Sequence, residues 1–301
     1  MTTLSGTEFN AKYPNTEFYK ILKIDCKHYD FTYQHGLNVD HIPFNPSGIG
    51  LSGGLYFTEI DKVPFWIGTN SVYIAKVTVP SNASVYIEKD KFKADQFVLD
   101  LDNKVLIQDF YMWENESFCK NAVQTDADLL KFVKKQTEEI CTLAVTQDRY
   151  AVRFVKDQTD DICKIAVSNH GYALKFVINK TEEICKLAVS QNGHALEYVP
   201  IQTDELCRLA VSKNGCALRW VKDQTDEICK LAVSINCNAL QHVINQTDEI
   251  CKLAVSREPF ALRWVKDQTD EICKLAVSQN KFALEYVKVK TDELYKLAVK
   301  S

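Results

Sequence analysis

Thr225-Asp-Glu-Ile-Cys-Lys-Leu-Ala-Val-Ser-Ile-Asn-Cys-Asn-Ala-Leu-Gln-His-Val-Ile-Asn-Gln246 is one period of a pattern that fills two thirds of the chain. Its threonine recurs at 137, 159, 181, 203, 225, 247, 269 and 291, always 22 residues apart. The register runs back to Asn115. The unbroken period predicts a solenoid whose units bury their apolar sides only against one another.

Within the unit, Thr is a good helix N-cap, and the acids behind it suit the positive end of the helix dipole. A first helix of roughly nine residues should therefore start there, with Ile228, Cys229, Leu231, Ala232 and Val233 facing inward and Lys230 facing water. Asn-Gly pairs such as Asn192-Gly193 and Asn214-Gly215 read as a turn in which Gly takes the left-handed conformation that ends a helix. A second helix then repeats Ala-Leu-x-aromatic-Val, as in Ala195 to Val199 and Ala261 to Val265. Apolar spacings of three and four argue against a β-helix. Neither helix reaches the roughly 12 to 15 residues at which an isolated helix becomes marginal in water, so stability must come from stacking. Near the end, Tyr295 takes the place of the column cysteine and Lys300 follows Val299, a sequence suited to a solvent-facing cap.

Residues 1–114 differ in kind. They hold most of the glycines, and Ser71–Val79, Ser84–Glu88 and Gly53–Thr58 are rich in β-branched and aromatic residues that favour strands. A short helix is expected near Lys62 to Ile67, and Asp109 to Glu114 should lead into the repeats with little linker. The expected fold is thus an α+β N-terminal module, 1–114, followed by an all-α solenoid of helix-pair repeats, 115–301. The solenoid comprises eight full units and a C-terminal half unit, stacked as a curved rod.

The formal net charge of −4 comes from the first part, with 14 acids against 10 bases; the repeats balance at 26 and 26. A nucleic-acid partner needs excess positive charge, so none is expected. No segment is apolar over the roughly 18 residues that span a bilayer, and no secretion signal opens the chain. An intracellular, soluble protein fits best.

Eight of the eleven cysteines, at 119, 141, 163, 185, 207, 229, 251 and 273, form one column. Packed helices lie about 8 to 10 Å apart, too far for a disulfide ladder and unsuited to four zinc ligands around a point. Packing is the expected role, with no metal and no cofactor. The ring column Phe132, Phe154, Phe176, Tyr198, Trp220, His242, Trp264 and Tyr286 is expected to form core, with Tyr and Trp edges at the surface. If a protein partner reads the repeats, the variable positions are its letters. These are the turn segments, and Arg153, Lys175, Glu197, Arg219, Gln241, Arg263 and Glu285 in the second helices.

Tyr33 to Asp40, Pro43 to Ser47, Gly53-Gly-Leu-Tyr-Phe-Thr58, Val77 to Pro80 and Lys91 to Asp95 resemble an N-terminal module of giant, mimivirus-like DNA virus repeat proteins. There the module precedes ankyrin repeats. The repeats here lack the Thr-Pro-Leu-His pattern and the longer ankyrin unit, and are similar to short paired-helix repeats of viral and intracellular bacterial proteins. The resemblance implies expression inside an infected cell, in the cytoplasm of the host; the protein-binding scaffold is expected from the solenoid, whose surfaces serve binding far more often than catalysis. The module is also loosely similar to ADP-ribosyltransferases, through His35-Gly36 and Gly54-Leu55-Tyr56-Phe57. That similarity implies NAD chemistry at His35, Tyr56 and Gln96, although Gln96 stands where the family's acid would polarise the ribose hydroxyl. A bland reading stands beside it, with Gly53 and Gly54 forming a turn before a core strand and His35 at the surface. An open cleft that gathers the three residues would favour the enzyme, and a filled core the adaptor. There is no phosphate-binding Gly-Lys-Ser/Thr loop, paired-His zinc motif or Gly-x-Ser-x-Gly elbow.

Overall fold

The computed structural model describes residues 3–28, 30–46 and 52–300; the side chain of Lys300 and residue Ser47 lie outside the described residues. The chain divides into two compact units, Met1–Gln147 and Asp148–Ser301.

The first unit begins as a β-rich region. Strands β1 (Thr3–Ser5), β2 (Phe18–Leu22), β3 (Lys27–His28), β4 (Phe31–Thr32), β5 (Gly36–Val39), β6 (Leu55–Glu59), β7 (Tyr73–Thr78), β8 (Ser84–Ile87), β9 (Phe92–Ala94) and β10 (Gln96–Leu106) are joined by two short helices, α1 (Gly6–Lys12) and α2 (Val63–Trp66). Eight strands form one sheet in the order β1-β8-β9-β6-β2-β7-β10-β5, and β3 pairs with β4. Pairing is antiparallel throughout, with Phe18 opposite Val77 and Leu55 opposite Ala94. The strands foreseen at 71–79, 84–88 and 53–58 and the helix near 62–67 are all present.

Helix α1 is set by a reciprocal cap between Ser5 and Glu8. It drives Phe9, fully buried, into a cluster with Phe18, Phe57 and Phe92, ring centroids 5.1 to 5.9 Å apart. This is one central core, assembled from segments far apart in sequence. Short 3₁₀ turns at Ile107–Asp109 and Tyr111–Glu114 then lead to α3 (Glu116–Thr125) and α4 (Glu138–Gln147). Trp113 plugs this junction; it is fully buried against Phe118 and Phe132 and donates its indole N–H to the Ile107 carbonyl.

The second unit contains α5 (Asp160–Asn169), α6 (Glu182–Gln191), α7 (Asp204–Lys213), α8 (Asp226–Ile235), α9 (Asp248–Arg257), α10 (Asp270–Gln279) and α11 (Asp292–Lys300). The threonine caps form as expected: Thr225 Oγ1 accepts the Ile228 N–H at 3.3 Å. The second helix of each pair is a six-residue 3₁₀ segment such as Gly215–Trp220 or Cys237–His242. The residue before it explains the tight winding. Asn236 sits in extended backbone, its N–H closing the α-helix on the Ala232 carbonyl while its side chain caps the 3₁₀ turn at Asn238.

The glycines that follow these caps do not adopt the left-handed conformation expected of them; positive φ in glycine is confined, among the described residues, to Gly36, Gly53 and Gly54. Close approach is what requires them. A Cβ on Gly193 would lie 2.3 Å from the Ala210 carbonyl oxygen of the next unit, and one on Gly215 would lie 2.4 Å from that of Ala232.

The inward columns are Ile228, Cys229, Ala232, Val233, Ala239 and Leu240, all buried, whereas Leu231 is only partly so. A second device was not foreseen. The last residue of most units is Gln, and Gln224 uses its whole amide: Nε2 donates to the carbonyls of Leu218 (3.1 Å) and, one unit on, His242 (3.0 Å), while Oε1 accepts the Ile244 N–H at 2.9 Å. The Cys229 thiol donates to the same oxygen at 3.7 Å. Gln158, Gln202, Gln246 and Gln268 repeat the arrangement. These backbone groups lie beyond the ends of short helices and would otherwise need water. Lys180 replaces Gln in its unit and reaches only the Val177 carbonyl of its own turn.

The lysines that stand five residues after the threonines do more than face water. Lys164, Lys186, Lys230, Lys252 and Lys274 each bridge to a glutamate of the following unit at 2.6 to 2.9 Å. Tyr295, in the last half unit, is half exposed.

Candidate functional site

The 3₁₀ segments of the second unit carry all seven residues singled out as letters. Arg153, Lys175, Glu197, Arg219, Gln241, Arg263 and Glu285 are exposed, each beside a ring of the aromatic column. Those rings are half-buried, so the column is less of a core than the sequence suggests. The reason lies one unit away. Three of the rings meet a ring that stands four residues earlier in the preceding unit: Tyr150 meets Phe176, Tyr172 meets Tyr198 and Phe260 meets Tyr286, with centroids 5.9 to 6.2 Å apart and edges toward faces. Asn238 does the same by hydrogen bond, accepting the Trp264 indole N–H at 3.2 Å.

Guanidinium groups complete this surface. Arg153 lies 4.6 Å from the Phe154 centroid, Arg219 4.7 Å from Trp220 and Arg263 4.6 Å from Tyr286. Burial, then the Arg219 charge, holds both His194 and His242 below the usual histidine range, so both are neutral at physiological pH. The result is an interleaved surface of half-exposed rings, stacked guanidinium planes and neutral imidazoles.

The cysteine column takes no part in this surface. Its members are buried, and burial raises the thiols of Cys119, Cys229 and Cys251 to about 11, which makes them poor nucleophiles and ligands. Cys26, Cys216 and Cys237 are only partly buried.

In the first unit the structure separates His35, Tyr56 and Gln96. His35 is exposed and lies 3.5 Å from Asp102 and 3.9 Å from Asp100. Gln96 opens β10 and donates to the Asn82 carbonyl at 3.4 Å. Tyr56 alone of the three lines a cleft of about 710 Å³. The geometry is therefore neither of the two foreseen, since an open cleft surrounds Tyr56 without the other two residues. The turn of Gly53 and Gly54 before β6 has positive φ, and Phe57 behind it is core.

What sequence reading missed in this cleft is its lysines. Lys20, on β2, is only 7% exposed. Its ammonium donates to the Tyr56 carbonyl at 2.8 Å and sits 4.8 Å over the Tyr33 ring. Lys91 stands 4.1 Å over Tyr56 and 4.8 Å over Trp66, with Glu88 at 3.6 Å. Alternation along β2 could have flagged Lys20 as inward-facing, because Phe18 and Leu22 flank it on the same face.

Residues 181–225 match the family described as Domain of unknown function (DUF4116). Those residues span two of the repeat units. Over 54 residues, 18% of this chain, the sequence is 39% identical to R229 of Acanthamoeba polyphaga mimivirus, whose name gives it as an ankyrin repeat protein. The match spans 17% of that relative's length. No solved structure matches the chain. Among the described residues, no helix is long and apolar enough to cross a membrane, and no group of His, Cys, Asp and Glu is placed to hold a metal. The similarity to R229 supports reading the chain as a giant-virus repeat protein built of helical units.

Proposed function

We propose that the protein is a giant-virus interaction scaffold, binding a host or viral protein through the aromatic and arginine surface of its repeats inside the infected cell. The observation that carries this reading is the composition of that surface. Tyr172, Tyr198, Trp220, Trp264 and Tyr286 with Arg153, Arg219 and Arg263 are the residue types that dominate binding energy in protein interfaces. They are held rigidly by neighbours, so little side-chain entropy is lost on binding. The variable residues, Lys175, Glu197, Gln241 and Glu285 among them, lie between these anchors and supply selectivity. The repeat surface acts without a cofactor or a metal, and the N-terminal module, 1–114, is carried as a separate functional part.

The test is affinity capture from infected-cell extract with the whole chain and with two variants. The triple change Arg153→Ala, Arg219→Ala, Trp264→Ala should lose the captured partner, whereas Lys230→Ala and Lys252→Ala together, on the ion-pair ladder, should retain it. Equal capture by both variants, or loss only with the ladder variant, would contradict the assignment.

A further inference from the structure

The lysine-lined cleft of the first unit has no part in the repeat surface, yet it maintains an arrangement that is costly for a folded protein. Four lysines line it, Lys20, Lys23, Lys27 and Lys91, against two aspartates, Asp30 and Asp40. Burial, then the nearby Lys91 charge, lowers the Lys20 ammonium to about 7. His28, in the same lining, is lowered by burial and then by Lys20, Lys23 and Lys91. Lys20, on β2, and His28, on β3, thus share one lysine-rich lining. His41 also lines the cleft, Glu88 stands behind Lys91, and Tyr33 lies under Lys20, its phenol raised by burial and by Asp40. A buried ammonium whose positive field is only partly offset is destabilising unless a ligand completes it.

The remaining lining is flat and apolar. Phe31 and His41 lie parallel, 6.2 Å apart, and the Trp66 ring, with Ile42, borders the space. A cleft of about 710 Å³ suits a ring-bearing molecule of modest size.

We propose that this cleft is a binding site for a phosphorylated small molecule carrying a flat ring, its phosphate on Lys20 and Lys91 and its ring among Phe31, His41 and Trp66. No bond is made or broken. The phosphate displaces the unfavourable pairing of like charges and restores Lys20 to its charged form, so binding takes up a proton whenever the free cleft holds that amine neutral. The sign follows directly. Below pH 7 Lys20 is already protonated and contributes no further pH dependence until the ligand's own phosphate loses its second charge at about pH 6; above pH 7 each unit costs affinity up to tenfold, as long as the bound amine stays charged.

Calorimetric titration of the full chain with phenyl phosphate, AMP, adenosine and inorganic pyrophosphate tests this. Phenyl phosphate or AMP should bind with millimolar affinity or tighter, more strongly than pyrophosphate, and adenosine should not bind. Lys20→Met and Lys91→Met should each weaken binding at least tenfold, and Lys76→Met, on the same sheet but paired with Glu17, should leave it unchanged. Proton uptake, read from titrations in buffers of different ionisation heat at pH 8, should vanish in Lys20→Met. If that variant does not fold, judged by circular dichroism, Lys91→Met and the pH profile of the unmodified chain decide. Absence of binding by both phosphate esters, or binding unaffected by Lys91→Met and by pH from 7 to 9, would overturn the proposal.

Discussion

The β-rich region and the helical repeats solve the same problem in opposite ways. In the β-rich region, Phe9 from the start of the chain meets Phe92 from near the region's end, and Phe18, Tyr33, Phe57 and Phe97 join them in one cluster. In the repeats, Leu218 and Leu240 belong to successive units, and each Gln ties its own unit to the next through carbonyls 6 residues back and 18 residues on. A single core is all-or-none, because removing one ring loosens every strand that touches it. A chain of interfaces is divisible, because each bears only on its neighbours.

The sharpest break between the two should come from truncating one core residue in each. Phe9→Ala should cost about 3 to 5 kcal/mol and abolish the near-ultraviolet signal of the whole β-rich region. Leu240→Ala should cost about 2 to 5 kcal/mol, yet its loss of amide protection in hydrogen exchange should stay within the units on either side. Loss of protection across all of α5 to α11 would remove the distinction.

Next in size is the glutamine bracket. Gln224→Leu strands two carbonyls and one N–H and should cost about 1 to 3 kcal/mol. Lys180→Gln should add at most about 1 kcal/mol, because the new amide has the carbonyls of Leu174 and Tyr198 to donate to but meets Pro200, which has no N–H, where the other units offer one. Urea unfolding would measure both. Equal midpoints for Gln224→Leu and the unmodified chain would show that the bracket adds no stability.

The smallest effect belongs to the ion-pair ladder. Lys230→Ala should change stability by less than about 1 kcal/mol, and the change should disappear in 1 M salt, because Glu249 is largely exposed. A larger, salt-independent loss would mean that the lysine stem packs as well as pairs.

Much of this was legible in the sequence because repetition reports neighbours. Thr at a fixed spacing before Asp or Glu named each helix start, and Ala232 and Leu240 fell into columns that turned out to be buried. The second helix was located but not its winding, since a 3₁₀ turn and an α-turn share the same apolar spacing over six residues. Gly193 was assigned to backbone conformation when its role is contact with Ala210, which only three dimensions reveal. Gln224 drew no reading for the same reason, its partners being backbone atoms with no sequence signature. The seven variable positions proved exposed, whereas Lys20 went unread although Phe18 and Leu22 place it on an inward face, because its partners, the Tyr56 carbonyl and the Tyr33 ring, come from elsewhere in the sequence.

The account rests on interchangeable units, and deleting one tests it most directly. Removing Thr203 to Gln224 joins Gln202 to Thr225, and brings Gln202 to the carbonyl of His242 in place of that of Trp220 and Lys186 to Glu227 in place of Glu205, so each meets the same chemical group as it does now. Circular dichroism with a melting curve should show the same helicity per residue and one cooperative transition at a slightly lower temperature. A deletion that loses its helical signal would contradict nearest-neighbour stability.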